Sequence, residues 1–338
     1  MEFKYYMIRR ILLQIIIILG TITITFFASK AIPGDPVTVL LGLEASRDPK
    51  LVAMVKELWK LDEPIWTQYL YYMKNFLTGN LGRSTWSRRP VIVDLATRFP
   101  ATVELTIVSF VIAMAIAIPV GVISATHRGT KIDSASRIFS IIGISAPSFW
   151  FGVLFLYIFY LKLGWVGSGR LSIGYTPPPF VTGMYTIDSL LAGRFDMFID
   201  ALKHLFLPAL TLGMGANAMT MRLTRSSMLE VINSDFIRTA RMKGLRERVV
   251  IFRHALRNAL ITPVTYAAIL FGALLGGAVL TETIFNIRGM GSYAVYVLFA
   301  NDYPAILGVT YLMAIIYTTA NLIVDILYAF LDPRVRVG

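Results

Sequence analysis

Three observations predict an all-α, polytopic membrane protein. Hydrophobic residues fill 56% of the 338 positions and charged residues only 15%, with a mean hydropathy of +0.66. Such a chain is too apolar for a soluble domain and too long for a single anchor. Its apolar residues are gathered into six runs, uncharged but for Asp325 in the last, long enough to cross a hydrocarbon core of about 30 Å. Lys and Arg alternate in density from one connection to the next, as expected of segments on opposite sides of a bilayer. The absence of cysteine excludes disulfides, cysteine-ligated metals and thiol chemistry. His127, His204 and His254 are scattered without metal-ligand spacing, so neither a metal site nor a catalytic residue is expected.

Taken in order, Lys4, Arg9 and Arg10 precede the first run, Ile11 to Ser29. A cleaved signal peptide has an apolar core of only about 7 to 15 residues, so this run is expected to stay as span one. Pro33-Gly34-Asp35-Pro36 then stops the helix and opens a large polar, aromatic loop. The expected divisions are 1–29 (N-terminal segment and span one), 30–100 (loop or cap) and 101–338 (membrane core, with a basic loop at 222–258). Span two is Leu105 to Thr126, followed by a short basic turn, 127–137. Span three, Ile138 to Leu161, carries Pro147 at its middle, which predicts a kink. Residues 164–203 contain Pro177-Pro178-Pro179 and scattered charges, a second loop with one surface helix. Span four, Leu205 to Met221, is expected to be short and broken by Pro208, Gly213 and Gly215. Span five, Asn258 to Thr281, includes Gly272, Gly276 and Gly277, whose spacing predicts a helix-packing seam. Span six runs from Tyr303 to about Phe330. Its Asp325 is expected to be a structural partner of Asn321 or a loop arginine rather than a proton relay.

The segment between spans four and five has its own architecture. Ser234 or Asp235 can cap a short helix, Phe236 to Lys243, which Gly244 ends in a left-handed conformation. In the helix that follows, Val249, Phe252, Leu256 and Leu260 share one face and Arg246, Arg253 and Arg257 the other. Two helices thus meet at a glycine elbow.

The residues of this elbow, Arg238-Thr239-Ala240, Gly244 and His254-Ala255-Leu256-Arg257-Asn258, resemble the cytoplasmic loop of permeases from ATP-binding-cassette importers, most closely the dipeptide/oligopeptide branch. Further blocks extend the resemblance over nearly the whole chain: Gly79-Asn80-Leu81-Gly82-Arg83-Ser84, Ser145-Ala146-Pro147-Ser148-Phe149-Trp150 and Leu331-Asp332-Pro333-Arg334-Val335-Arg336. At Glu282, Phe285, Gly289 and Gly291 an external block of the family is also matched, except that Arg288 stands where proline is usual.

The resemblance implies a type I importer permease fold of six transmembrane helices with a large extracytoplasmic loop between helices 1 and 2. It implies a sister permease, two ATP-binding-cassette ATPase subunits and an extracytoplasmic solute-binding protein as partners. ATP and Mg would be held by the ATPases, with no cofactor on this chain and no enzymatic activity of its own. The phosphate-binding pattern G-x-x-x-x-G-K-[ST] is indeed absent, since no Gly-Lys dipeptide occurs. In this reading the ATPase-coupling surface comprises Asp235, Phe236, Arg238, Thr239, Ala240, Arg241, Lys243, Gly244, Leu245 and Arg246. Ala240 would be small enough for close contact with the partner, and Arg241, Lys243 and Arg246 would offer charge. Gly272, Gly276, Gly277, Glu282 and Phe285 are candidates for helix packing or for lining a gate. Peptides are the expected substrate, with cello- or manno-oligomers as the alternative.

Charge predicts the orientation. Segments 1–10, 127–137, 222–258 and 331–338 hold 3, 3, 9 and 2 Lys or Arg, against 3 and 1 in 164–203 and 282–302. Both termini are therefore expected in the cytoplasm and the chain in the cell membrane, in contact with lipid. Two other function classes fit the chain less well. The helix–glycine–helix spacing with basic charge also suits a DNA reader, but a membrane-tethered loop is an awkward place for one, and no nucleic acid is expected. An autonomous carrier would want ionisable groups near mid-membrane, which the spans essentially lack.

Overall fold

The uncharged runs become helices, and most helices extend past the runs that predict them. The computed structural model describes residues 3–31, 37–38, 45–165 and 167–331. The Pro33 to Pro36 turn, the 332–336 block and the side chain of Asp325 lie outside what is described. The helices are α1 (Phe3–Ala31), α2 (Pro49–Trp59), α3 (Ile65–Leu77), α4 (Val91–Thr126), α5 (Lys131–Ser145), α6 (Ser148–Phe155, continuing as a π-helix Leu156–Lys162) and α7 (Tyr185–Leu191). They are followed by α8 (Phe195–Ile232), α9 (Asp235–Met242), α10 (Glu247–Val249, continuing as a π-helix Val250–Ala255), α11 (Leu256–Ala259), α12 (Ile261–Ile284), α13 (Met290–Phe299) and α14 (Tyr303–Leu331). Among the described residues no strand occurs beyond an isolated bridge between Arg83 and Pro90.

Five helical stretches are long and apolar enough to cross a membrane: Met7–Ala28, Val91–Thr126, Phe195–Ile232, Ile261–Ile284 and Tyr303–Ile323. A sixth span follows if the α5–α6 pair, bent by 106°, is counted as one. The expected kink at Pro147 is thus a sharp break. Proline crowds the residue before it out of the helical region, and Ala146 sits at φ −83°, ψ 138°. The fourth span corrects its expectation in the other direction. Pro208, Gly213 and Gly215 lie inside one continuous 38-residue helix, α8. At 1.5 Å per residue it is about 57 Å long, so its ends stand beyond the hydrocarbon.

Two compact units divide the chain, residues 1–101 with 288–338 and residues 102–287. In the first, α1 packs along α14, and α2 and α3 form a small helical cap. Phe26 of α1 stacks on Tyr72 at 5.3 Å and meets Tyr69 edge-on at 5.5 Å. Gln68 ties the cap together, donating to the carbonyls of Leu61 (3.0 Å) and Glu63 (2.8 Å) and accepting from Lys30 Nζ (2.6 Å). Buried Asp302 accepts from Ser84 Oγ (2.5 Å) and from the amides of Trp86 (3.1 Å) and Ala305 (3.2 Å). The Gly79 to Ser84 block is therefore pinned to the start of α14. Val91, Leu95, Met290, Tyr293, Val297 and Ala305 fill the core beside it.

The second unit is built on α8, against which α5, α6, α7 and α12 all pack. Small residues set how closely they approach. A Cβ built on Gly121 would lie 2.7 Å from Thr224 Cβ, on Gly143 2.7 Å from Ala218 Cβ, and on Gly213 3.0 Å from the Ser109 carbonyl oxygen. The second loop is strapped by buried carboxylates. Glu104 accepts from Arg170 (2.5 Å) and from the amide and hydroxyl of Thr186 (both 2.7 Å). Asp188 accepts from the amides of Thr182 (2.8 Å), Gly183 (2.9 Å) and Val181 (3.3 Å) and from the Thr182 hydroxyl (2.8 Å). Burial alone would push the Asp188 carboxyl up, but these donors more than offset it and hold it below the usual carboxylate range.

Candidate functional site

The elbow joins the C-terminal end of α8 to α12. Ser234 occupies the N-cap of α9 in an extended conformation, but its hydroxyl donates back to the Val231 carbonyl (2.6 Å) and not to the helix amides. Asp235, first residue of the helix, places its carboxylate at the positive end of the helix dipole. After Lys243, Gly244 takes φ +71° and its amide closes on the Arg241 carbonyl at 2.9 Å. Among the described residues, no atom beyond its chain neighbours lies within 4 Å of where a Gly244 Cβ would stand, so backbone conformation demands glycine here and packing does not.

Two side chains anchor this arm. Ile237 is fully buried and Ala240 nearly so, in a cluster with Val122, Ala125, Met228, Val250, Ala255 and Ala259. Burying the isoleucine alone contributes about 2 kcal/mol. This corrects the role expected for Ala240, whose methyl packs onto the unit's own core and does not face outward. A small residue is needed there because α9 lies close against the helices beneath it.

The second arm also differs from its expected face. Phe252 is 55% exposed, and the buried residues are Val250, Ala255 and Ala259 instead of Val249, Phe252, Leu256 and Leu260. The cause is the π-helical turn Val250–Ala255, whose wider winding brings residues five apart onto one side. A step of five, then four, replaces the α-helical three and four.

What the elbow presents outward is a mixed surface. Asp235, Phe236, Arg238, Thr239, Arg241, Lys243, Gly244, Leu245, Arg246 and Arg248 are all exposed. Met242, at 75% exposure, is an apolar side chain held away from any core. Arg241 is also engaged within the elbow, donating to Glu247 through Nε (3.2 Å) and Nη2 (2.7 Å). That two-point contact spans the Gly244 turn, and it holds the Glu247 carboxyl below its usual range.

One further pair went unread in the sequence. Arg225, on the last turns of α8, grips Asp133 through Nε (2.6 Å) and Nη2 (2.9 Å), while Ser124 (2.7 Å) and the Gly129 amide (3.0 Å) also donate to the carboxylate and Arg137 lies 4.0 Å from it. These residues lock the stem of the elbow to α4 and α5. The partners are 92 positions apart. The one local signal is Thr130 three residues before Asp133, a helix-capping spacing.

The gate candidates separate. Glu282 is buried, accepting from Thr102 Oγ1 at 2.6 Å, and its carbonyl takes the Ile287 amide at 2.8 Å. Phe285 is 2% exposed and its carbonyl accepts from the Gly169 amide (2.8 Å), so its ring is core and lines no opening. Where Arg288 replaces proline, the turn is made just before it by Asn286 at φ +54°. Gly272 is buried, but nothing lies within 4 Å of a Gly276 Cβ, and only Leu212 Cδ1 lies as near as 4.0 Å to that of Gly277. At Gly276 and Gly277 the expected seam on α12 is not filled by the described residues. Close glycine approaches occur at Gly121, Gly143, Gly213 and Gly308 instead, the last with a Cβ 2.5 Å from Val91 Cγ1.

The chain's similarity to known proteins decides what this helical scaffold is. Residues 117–337 match the family described as binding-protein-dependent transport system inner membrane component, and residues 3–106 match its N-terminal region. The chain belongs to this family. A di/tripeptide transport system permease protein of Pseudomonas aeruginosa is 42% identical over 332 residues, 98% of each chain. A dipeptide transport system permease protein of Alkalihalophilus pseudofirmus is 40% identical over 331 residues, 98% of this chain and 99% of that one. An oligopeptide transport system permease protein of Bacillus subtilis is 38% identical over 336 residues, 98% and 99% respectively. As a member, the chain is a multi-pass permease component of a transport system that depends on a binding protein.

Proposed function

We propose that this chain is a peptide-importing permease subunit of the cell membrane, with the elbow at 234–260 as its cytoplasmic dock for an ATP-hydrolysing partner. The observation that carries the reading is the two-sided build of α9. Ile237 and Ala240 root it in the same cluster as the stem of α8 and the arm leading to α12, while its other side offers Phe236, Met242, Leu245 and a set of basic side chains to a partner. A force on the exposed side has no slack to absorb it and moves α8 and α12 together. Coupling to ATPase subunits, whose pairing with this chain and a sister permease makes the complete importer, follows from that rigidity. ATP and Mg belong to those partners in this reading. Exposed ion pairs contribute only about 0 to 1 kcal/mol each, so shape and the apolar side chains carry the docking more than any one arginine does.

Peptides are favoured as cargo because the relatives named above, matched over nearly their whole length, are peptide permeases. Nothing observed favours the oligosaccharide alternative. The test is reconstitution of the chain with its partner subunits and solute-binding protein in vesicles. ATP-dependent uptake of a labelled dipeptide is expected. Uptake of cello- or manno-oligomers without peptide uptake would overturn the substrate, and peptide flux through the chain alone would overturn the coupling.

A further inference from the structure

The first unit holds a cavity of about 510 Å³ that the transport reading does not use. Its volume lies within the range of about 300 to 1,000 Å³ typical of small-molecule sites. Aromatic and aliphatic side chains make up much of the wall, among them Phe26, Trp59, Tyr72 and Leu307. Two cations, Lys30 and Arg83, also line it, and among the described residues of the wall none is acidic. Lys30 gives one of its three N–H groups to Gln68 Oε1 (2.6 Å), and Arg83 gives one to the Arg88 carbonyl (3.3 Å). Neither makes an ion pair with a carboxylate among the described residues.

The cavity's place in the fold narrows its occupant. Lys30 stands two residues beyond the span Met7–Ala28, and Tyr303 and Pro304, also in the wall, open the span Tyr303–Ile323. The cavity thus sits where two spanning helices leave the hydrocarbon, at the level of lipid headgroups. One of those helices, α1, turns Ile24 outward (71% exposed) six residues before Lys30, an apolar side chain for the bilayer to meet beside this wall.

We propose that the cavity binds an anionic phospholipid, its phosphate between Lys30 and Arg83 and an acyl chain along Phe26, Val55 and Leu307. The chemistry selects against other occupants. A sugar brings no charge to offset theirs, and a zwitterionic peptide brings an ammonium group along with its carboxylate, whereas an anionic phospholipid brings net negative charge and an apolar chain together. Burial draws the Lys30 ammonium below its usual range, a cost that a bound phosphate would offset. Basic pockets beside spanning helices suit acidic headgroups for the same reason.

The experiment takes the full chain into nanodiscs containing equal phosphatidylglycerol and phosphatidylcholine, then releases it for native mass spectrometry. Phosphatidylglycerol retained at least 10-fold over phosphatidylcholine is expected. Lys30→Gln with Arg83→Gln should cut that retention 10-fold or more, whereas Lys30→Arg should keep it. Val55→Trp, which fills the cavity and leaves both charges in place, should also abolish it. Equal retention of the two lipids, or retention that survives both the double variant and Val55→Trp, overturns the site. Retention of oleate in place of phosphatidylglycerol overturns the phosphate assignment, and displacement of the lipid by a dipeptide overturns it in favour of a substrate subsite.

Discussion

At Gly244 the backbone sets the constraint and packing does not, which makes the position a clean probe of the elbow. A β-branched residue forced to φ +71° costs about 1–3 kcal/mol, with no clash to confuse the result. Gly244→Val is expected to lower ATP-dependent uptake at least tenfold with membrane insertion unchanged. Gly244→Asn, which tolerates the left-handed region, should retain most of it. Wild-type uptake and normal ATP turnover in the valine variant would show that the elbow transmits nothing. The strap beside it adds a pH dependence. Because the Glu247 carboxyl is held below its ordinary value, the strap is fully formed above the usual carboxylate range, near 4.3, and is lost as pH falls through the lowered folded value. A spin label at Met242 should therefore gain mobility as pH is taken from 5 to 3, and should show no such transition in Glu247→Gln. The turn glycine was legible in the sequence because left-handed geometry has a compositional signature. The inward direction of Ala240 was not, because a small residue suits a close contact on either side of a helix.

Elements were legible to the extent that their period is regular. Apolar runs located the five described helices long enough to cross a membrane and the bent pair that makes a sixth, and Pro147 marked the break in that pair, though not that the bend reaches 106°. The face of the second elbow arm was misread because a π-turn changes the winding, and nothing in Val250 to Ala255 announces one. The glycines of α12 were read as a seam from spacing alone, yet spacing does not say whether another helix is there to fill it. The contrast gives a prediction about α8 and its neighbours. Gly143→Ala places a methyl 2.7 Å from Ala218 Cβ and should destabilise the chain by about 1–3 kcal/mol. Gly276→Ala meets open space and should leave stability unchanged or slightly raised, by less than about 1 kcal/mol. Denaturant unfolding of the two variants in one detergent separates them, and equal losses would mean that α12 packs more tightly than its open glycine indicates.

For the molecule as a whole, the sidedness that the charge pattern predicts is the reading on which the proposed dock depends, and the lack of native cysteine makes it directly measurable. The structure changes which positions should carry the label. Ser84 and Ser292, in two of the segments expected outside, are each only 2% exposed, Ser84 against the Asp302 carboxylate, so a cysteine there would stay silent whichever side it lay on. Asn80, Thr176 and Ala300 are exposed representatives of the three segments expected outside, and Thr130 and Arg246 of the two inside. Single cysteines at the first three should react with an impermeant thiol reagent added to intact cells, and those at Thr130 and Arg246 only after the membrane is opened. With Arg246 inside, the exposed side of the elbow meets the compartment that holds ATP, and the force generated there has a rooted helix to act on. Labelling of Arg246→Cys from outside would put the elbow on the wrong side of the membrane for any ATPase, and the whole coupling scheme would fall with it.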